Sequence, residues 1–378
     1  MRVLVVNAGS SSLKLRLLDS DDSDGSTDTA HTVVASADLP AGPDGFDGDA
    51  LTGVLRDWPR PDAAGHRIVH GGRDFSAPVR VDSVVRTRLE QLTSLAPLHQ
   101  PTSLAALDAV TERLPGLPAV ACFDTAFHTT IPAAAATYPI PREWRERYAI
   151  RRYGFHGLSH AYCSGRAADL VGQPLAGLRM VTCHLGAGAS LAAVAGGRSV
   201  DTTMGFTPLE GLVMATRSGT VDPGLLLWLA EREHLSPHEI GTALEHRSGL
   251  TALAGTGDLR EIQAAVERGE PDATLALDVY THRLVAGIAA MAAAAGGLDV
   301  LAFTGGVGEN SAPVRAMAGQ RLAFLGVALD PHRNASPAGD TEITAAGAAV
   351  RTVVVAARED LRIAYEVRRL LTTPPHPA

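Results

Sequence analysis

The chain has 378 residues, of which 46% are apolar and 20% charged, and its formal net charge is −8. That length exceeds what one hydrophobic core fills, so about two domains are expected. The composition excludes a disordered chain, and the acidic balance excludes a nucleic-acid surface, which needs clustered basic charge; anionic ligands stay open wherever a few cations converge.

Residues 3–6 (VLVV) and 13–18 (LKLRLL) read as two strands joined by the polar, glycine-containing turn Asn7-Ala8-Gly9-Ser10-Ser11-Ser12. No signal-peptide pattern precedes them. Five aspartates stand between Asp19 and Asp28, a run that reads as a solvated hairpin loop rather than a metal site. Lys14 is the only lysine among 33 basic residues, and a compact ammonium differs from a guanidinium where a point charge must reach a phosphate. Cys122, Cys163 and Cys183 sit apart without CxxC spacing, which fits a reducing compartment and a cytoplasmic protein.

The strand–turn–strand design recurs at mid-chain. Met180-Val181-Thr182-Cys183 is a strand, His184-Leu185-Gly186-Ala187-Gly188-Ala189-Ser190 a tight turn, Leu191 to Val194 a returning strand and Arg198 to Thr202 a third. Two such units about 180 residues apart predict an internally duplicated α/β architecture, each turn offering backbone N–H groups to a phosphate. A third small-residue turn, Thr304-Gly305-Gly306-Val307-Gly308-Glu309-Asn310, follows the strand Val300-Leu301-Ala302-Phe303. Helical patterns cover 222–234 and 273–295. The apolar stretch Leu284 to Leu298 is too short for a bilayer and reads as a closely packed buried helix, so no membrane partner is expected. The tail TTPPHPA is expected to fray.

Common nucleotide and hydrolase signatures are absent. The lone lysine excludes a Walker A loop, HRD and DFG are missing, GAGAS is not completed to GxGxxG, and no GxSxG occurs. Three phosphate-type turns without those motifs suit the superfamily of sugar kinases, actin and heat-shock ATPases.

Nine segments go further: NAGSSSLK (7–14), HRIVHGG (66–72), LAPLHQP (95–101), FDTAFH (123–128), RRYGFHGLSH (151–160), HLGAGAS (184–190), DTTMGFTPLEGLVMATRSGTVDPG (201–224), FTGGVGENS (303–311) and AREDL (357–361). In this order, from residue 3 to about 365, they resemble the acetate kinase family. The resemblance implies two duplicated ribonuclease H-like α/β lobes with an active-site cleft between them. The first would be residues 1–128 plus 361–378, carrying the acid-binding side, and the second residues 129–360, carrying the nucleotide and a homodimer interface. It also implies reversible phosphoryl transfer from ATP to acetate, giving acetyl phosphate and ADP, with Mg²⁺ (or Mn²⁺).

By the same resemblance Arg67 and Arg217 are the active-site arginines, and planar guanidinium forks suit the three equatorial oxygens of a phosphoryl in flight. His156 would donate a hydrogen bond to that group. Asp124 matches the family's catalytic aspartate. A carboxylate substrate needs no general base near neutral pH, so Asp124 is expected to orient Arg67, Arg217 or a metal-bound water. Asn7 and Glu359 match the magnesium positions. Lys14, the turn His184, Leu185, Gly186, Ala187 and Gly188, the segment Asp258-Leu259-Arg260, and Gly306, Val307, Gly308, Glu309 and Asn310 match nucleotide contacts. Val69, Leu98, Phe155 and Pro208 match an apolar pocket for the acid's methyl group, which separates acids by about 1–3 kcal/mol per methylene. Ala187 and Gln100 stand where the family usually has asparagine, and Leu158 where it usually has threonine.

Three alternatives stay open: a propionate or butyrate kinase, a superfamily ATPase without an acid substrate, and a zinc hydrolase built on the i, i+4 pairs His66/His70 and His156/His160. Against the last, His66 and His70 flank a strand-like Ile68-Val69, and neither pair contains an HExxH glutamate.

Overall fold

The structure, a computed structural model, describes residues 1–9, 12–20, 31–42, 45–97 and 99–372. Ser10 and Ser11 of the first turn, most of the acidic run, Leu98 and the last six residues of the tail lie outside them. The chain divides into two compact units, Met1–Thr129 with Gly157–Tyr162 and Arg358–Ala378, and Thr130–His156 with Cys163–Ala357.

The first unit is built on a seven-stranded sheet of β1 (Val3–Ala8), β2 (Ser12–Ser20), β3 (His31–Gly42), β4 (Gly45–Phe46), β5 (Ala63–Ile68), β6 (Val79–Arg80) and β7 (Ala119–Phe123). Their order is β4-β3-β2-β1-β5-β7-β6. β1 to β3 form an antiparallel meander, and β5 and β7 add in parallel beside β1. Val3, Leu4, Val5 and Val6 are apolar at every position because both faces of this central strand are covered. Leu4 and Val6 pack with Ala106 and Val110 of the helix Gln100–Arg113, while Val3 and Val5 pack with Ile363, Ala364 and Val367 of the C-terminal helix Glu359–Thr372. Each large aliphatic so buried contributes about 1.5–3 kcal/mol. The C-terminal helix lies so close over β5 that a Cβ at Gly65 would stand 2.5 Å from Ile363 Cγ2. Only glycine permits that approach, and it fixes the helix start, Glu359, relative to the strand that carries Arg67.

The second unit repeats the plan. Its strands are β8 (Arg179–Leu185), β9 (Ala189–Ala195), β10 (Arg198–Thr202), β11 (Val300–Thr304), β12 (Thr341–Glu342) and β13 (Arg351–Val354), in the order β10-β9-β8-β11-β13-β12. β8 to β10 form the antiparallel meander, β11 and β13 the parallel extension, and β12 an antiparallel edge, as β6 is in the first unit. The duplication expected from the two strand–turn–strand units is therefore present strand for strand, with β4 as the one addition among the described residues.

Across β8 and β9 lies the helix Pro271–Ala294, which buries Leu284, Ile288 and Met291. By length and composition it could cross a membrane, and 44% of its most apolar window is buried within the protein. A Cβ at Gly287 would stand 2.8 Å from Leu191 Cδ1, the close approach that its small residues allow. The other expected helix is Pro223–Arg232. One local expectation fails: residues 304–310 are not an open turn, since Gly305–Asn310 is a short helix. At φ +79° Gly305 turns the chain sharply off β11, with no room for a Cβ beside the Leu185 carbonyl at 2.7 Å, and the remaining residues coil at once. All three cysteines are buried free thiols.

Candidate active site

In the first unit the parallel register of β5 and β7 decides the geometry. Arg67 lies opposite Cys122, and Asp124 follows β7 directly, its N–H donating to the Ile68 carbonyl at 3.0 Å. The Asp124 carboxylate is almost fully buried and accepts from Arg67 Nε at 3.1 and 3.0 Å and from Nη2 at 2.5 Å. Arg67 Nη1 donates to Asn7 Oδ1 at 3.2 Å. Burial works against the guanidinium charge, but the Asp124 carboxylate, its hydrogen bond and the more distant Glu359 outweigh it and hold the group above the ordinary arginine value. Asp124 also anchors the start of the helix Gly157–Val171: its carbonyl accepts from Gly157 N–H at 2.8 Å, where a Cβ would stand 2.2 Å away. The structure thus places Asp124 on Arg67.

Asn7 Oδ1 contacts this guanidinium, and the negative charge of Glu359 acts on it from a distance. An amide oxygen and a carboxylate form a hard donor set that fits Mg²⁺, which keeps most of its waters when the protein supplies few ligands. Lys14 is exposed on β2, across from Asn7 and from Asp38, whose carboxylate is taken by Arg16 at 2.6 Å. Val69 is buried just beyond β5.

In the second unit three segments converge. The β8–β9 turn is closed by Gly186 N–H donating to the Gly188 carbonyl at 3.0 Å, with His184 opposite Ser190 and the buried Leu185 opposite Ala189. The tip residue Ala187 accepts from Ala215 N–H at 3.1 Å, which draws the Arg217 loop to the hairpin. His156 Nδ1 lies 2.9 Å from Ser190 Oγ, its ring 4.3 Å from that of His184. A Cβ placed on Gly188 would lie 3.5 Å from His156 Nε2 and 3.6 Å from Arg217 Nη1. Hairpin, imidazole and guanidinium therefore meet beside Gly188, where a methyl group would make only ordinary contacts. Arg217 Nε is paired with Glu245 Oε2 at 2.9 Å, and its Nη1, which also donates to Met214 Sδ at 3.8 Å, is the nitrogen that lies beside Gly188. Phe155 is buried, and Pro208 is half-buried on the loop after β10.

The remaining expected nucleotide segments have structural work of their own. Asp258 caps the helix Leu259–Glu267 through Arg260 N–H and pairs with the exposed Arg260 side chain, whose hydrogen bond lowers its carboxyl to about 2. Leu259 is buried. Gly306 and Asn310 are exposed on the helix after β11, Asn310 donating to the Gly306 carbonyl at 2.8 Å. Val307 is half-buried and Gly308 buried, and Glu309 Oε1 accepts from Ala357 N–H at 3.0 Å.

The i, i+4 histidine pairs do not form a zinc site. His66 and His70 are buried singly on and after β5, His160 stacks edge-on to His128 at 5.7 Å, and no group of three or more His, Cys, Asp or Glu suited to a metal occurs among the described residues.

The acetokinase family model matches residues 53–365. The chain belongs to the acetokinase family. A relative within it, the acetate kinase of Gloeobacter violaceus, is 45% identical over 401 residues, covering 97% of this chain and 98% of that protein. The crystal structure of Porphyromonas gingivalis acetate kinase superposes with a TM-score of 0.87 at 36% identity, over 98% of this chain and 100% of the other. A propionate kinase from Francisella tularensis reaches 0.86 at 35% identity, over 97% and 98%. The two-unit duplicated α/β fold described above is thus an acetokinase-family fold.

Within this acetokinase-family chain, the departures from the family pattern find structural places. Gln100 is wholly buried and brackets His70, accepting from its N–H and donating to its carbonyl, both at 3.2 Å. Leu158 packs into the core with Val3 and Ile363. Ala187 is exposed and contributes backbone alone. Sequence reasoning missed two supports. Ser190 was in view inside HLGAGAS, whereas Glu245, in an ordinary helix end (ALEHRSG), carries no signal that it holds an arginine 28 positions earlier.

Proposed function

We propose that this chain is an acetate kinase, moving the γ-phosphoryl of ATP reversibly to the carboxylate of acetate with Mg²⁺. The observation that supports this is the convergence beside Gly188 of a guanidinium nitrogen of Arg217 and the Nε2 of His156, two nitrogens suited to the oxygens of a phosphoryl in transfer. An acetate oxygen attacks phosphorus in line, the bridging P–O bond breaks, and its electron pair leaves with ADP; no proton moves and no phosphoenzyme forms. Arg67, aligned by Asp124, is assigned to the acid's carboxylate, and Arg217 and His156 to the phosphoryl. Phe155 and Pro208, with Val69 and Leu98, are assigned to the methyl group. The β8–β9 turn, Lys14, Asp258–Arg260 and Gly306–Asn310 are assigned to the nucleotide. Asn7 and Glu359 would hold the metal, which neutralises phosphate charge when bound.

Supporting a homodimer, the helix Pro223–Arg232 leaves Leu225, Leu227 and Trp228 exposed at 46%, 64% and 51%. The buried free thiols suit a cytoplasmic protein. The test is ADP formation with and without acid, then kcat/KM for acids of two, three and four carbons. Acetate-dependent turnover is expected, with propionate as a second substrate in view of the propionate kinase relative. ATP hydrolysis that ignores added acid would overturn the assignment.

A further inference from the structure

The loop that leaves β10 carries Pro208 and is tied to the segment ending in Phe155 and His156 by contacts that play no part in the chemistry above. Arg152 Nη1 donates to three successive carbonyls, Thr202 and Thr203 at 3.2 Å and Met204 at 3.1 Å, and Arg152 Nη2 pairs with Glu210 Oε1 at 2.6 Å. The other carboxylate oxygen of Glu210 accepts from the Tyr138 hydroxyl. Tyr138 Oη in turn accepts from Phe206 N–H at 3.0 Å. The Gly205 carbonyl then accepts from Tyr153 N–H at 3.0 Å and Gly154 N–H at 3.2 Å, immediately before Phe155 and His156. A Cβ at Gly205 would stand 1.8 Å from Glu210 Oε2 and 2.1 Å from Tyr138 Oη, so these two side chains close on a residue that leaves them room.

We propose that Arg152, Glu210 and Tyr138 are positioning residues that lock the loop bearing Pro208 to the segment bearing Phe155 and His156, and so set the acid selectivity of the site. This rests on the acid-kinase assignment above. Backbone carbonyls gathered on one guanidinium have little freedom to shift, because each move breaks charge-assisted hydrogen bonds in a half-buried setting. His156 needs such support, since its φ of +56° is a left-handed conformation that a non-glycine residue holds only when its surroundings impose it. Burial and the Glu210 hydrogen bond push the Tyr138 phenol up, so it stays a donor throughout the neutral range. Loosening the clamp moves the apolar wall and the imidazole together but leaves the hairpin amides in place. The KM for the acid and, through His156, kcat should therefore feel the change, whereas KM for ATP should not.

The experiment compares Tyr138→Phe and Glu210→Gln with wild type, measuring KM for acetate, propionate and ATP, together with kcat. In both variants KM for acetate should rise about tenfold, the worth of one lost hydrogen bond to a charged group, while KM for ATP stays within about twofold. The preference between acetate and propionate should narrow as well. Arg152→Lys should restore part of what Arg152→Ala loses, since an ammonium reaches fewer of the carbonyls. Equal movement of both KM values, or no movement of either, overturns the clamp. A wild-type enzyme without acid-dependent turnover would instead overturn the functional assignment itself, so the two failures are separable.

Discussion

Asp124 grips Arg67 along one edge of the guanidinium, through Nε at 3.0 Å and Nη2 at 2.5 Å, and leaves Nη1 turned to Asn7. An orientation set from one side presents the other to an anion. Asp124→Asn keeps the shape but removes the charge that offsets the guanidinium, and breaking such a buried pair costs about 3–5 kcal/mol of stability. Urea unfolding should register that loss. Because a carboxylate substrate arrives ionised, the wild-type pH–rate profile should stay flat above about pH 5. An acid limb that vanishes in the variant would show Asp124 to be a proton acceptor instead.

Arg217→Ala should remove about 4–7 kcal/mol of transition-state stabilisation, as expected for a guanidinium on the transferring phosphoryl. Glu245→Gln is the informative companion. It leaves the arginine present but frees its Nε from the carboxylate now 2.9 Å away, and should lower kcat by about tenfold. Turnover of Arg217→Ala within tenfold of wild type would remove that residue from the reaction.

Gly188→Ala tests the space itself. The added methyl would meet His156 and Arg217 at ordinary contact distances of 3.4–3.6 Å, so the fold should survive with an unchanged melting temperature. The phosphoryl, displaced by about 1 Å, should react about a hundredfold more slowly. Unaltered kinetics would mean that no reacting group passes that point.

His66 makes the first unit sensitive to acid. It is buried on β5 with no hydrogen-bond partner for either ring nitrogen among the described residues, and burial pushes it down to about 4, with Asp108 pulling the other way. Unfolded, the same imidazole takes a proton near pH 6.5. Between those values the unfolded chain binds more protons than the folded one, so stability is lost as pH falls through the window. From pH 7 to pH 5 this amounts to about 2 kcal/mol. Burial pushes His70 the same way. Denaturant midpoints at the two pH values should differ less in His66→Leu than in wild type; an equal difference would locate the acid sensitivity elsewhere.

Glu359→Gln should raise the Mg²⁺ concentration needed for half-maximal activity by about 10–100-fold, with ATP saturating in both proteins. Titration with MgCl₂ reads this directly, and identical curves would take Glu359 out of the metal site.

Much of this was legible along the chain. The all-apolar run Val3–Val6 announces a strand covered on both faces, and HLGAGAS a hairpin whose tip is backbone. The doubled strand–turn–strand pattern announces the duplicated sheets. These are local statements: side-chain periodicity and glycine freedom act over a few residues, and sequence displays them directly. At 304–310 the same glycines misled, because a composition that permits a turn also permits a sharp bend into a helix, and only the Leu185 carbonyl packed against Gly305 decides between them.

What the tertiary structure alone decided is which charges meet. The segments spell out Arg67, Asp124, His156 and Arg217 as separate words, and their spacing does not say that Asp124 takes Arg67 while Glu245 takes Arg217. Nor does it say that Arg152 collects three carbonyls from a loop 50 residues on. Such pairings follow from strand register and from how closely side chains can approach a backbone, as at Gly65 and Gly205. Those quantities belong to the folded chain, because they depend on residues far apart in sequence that only packing brings within hydrogen-bond distance.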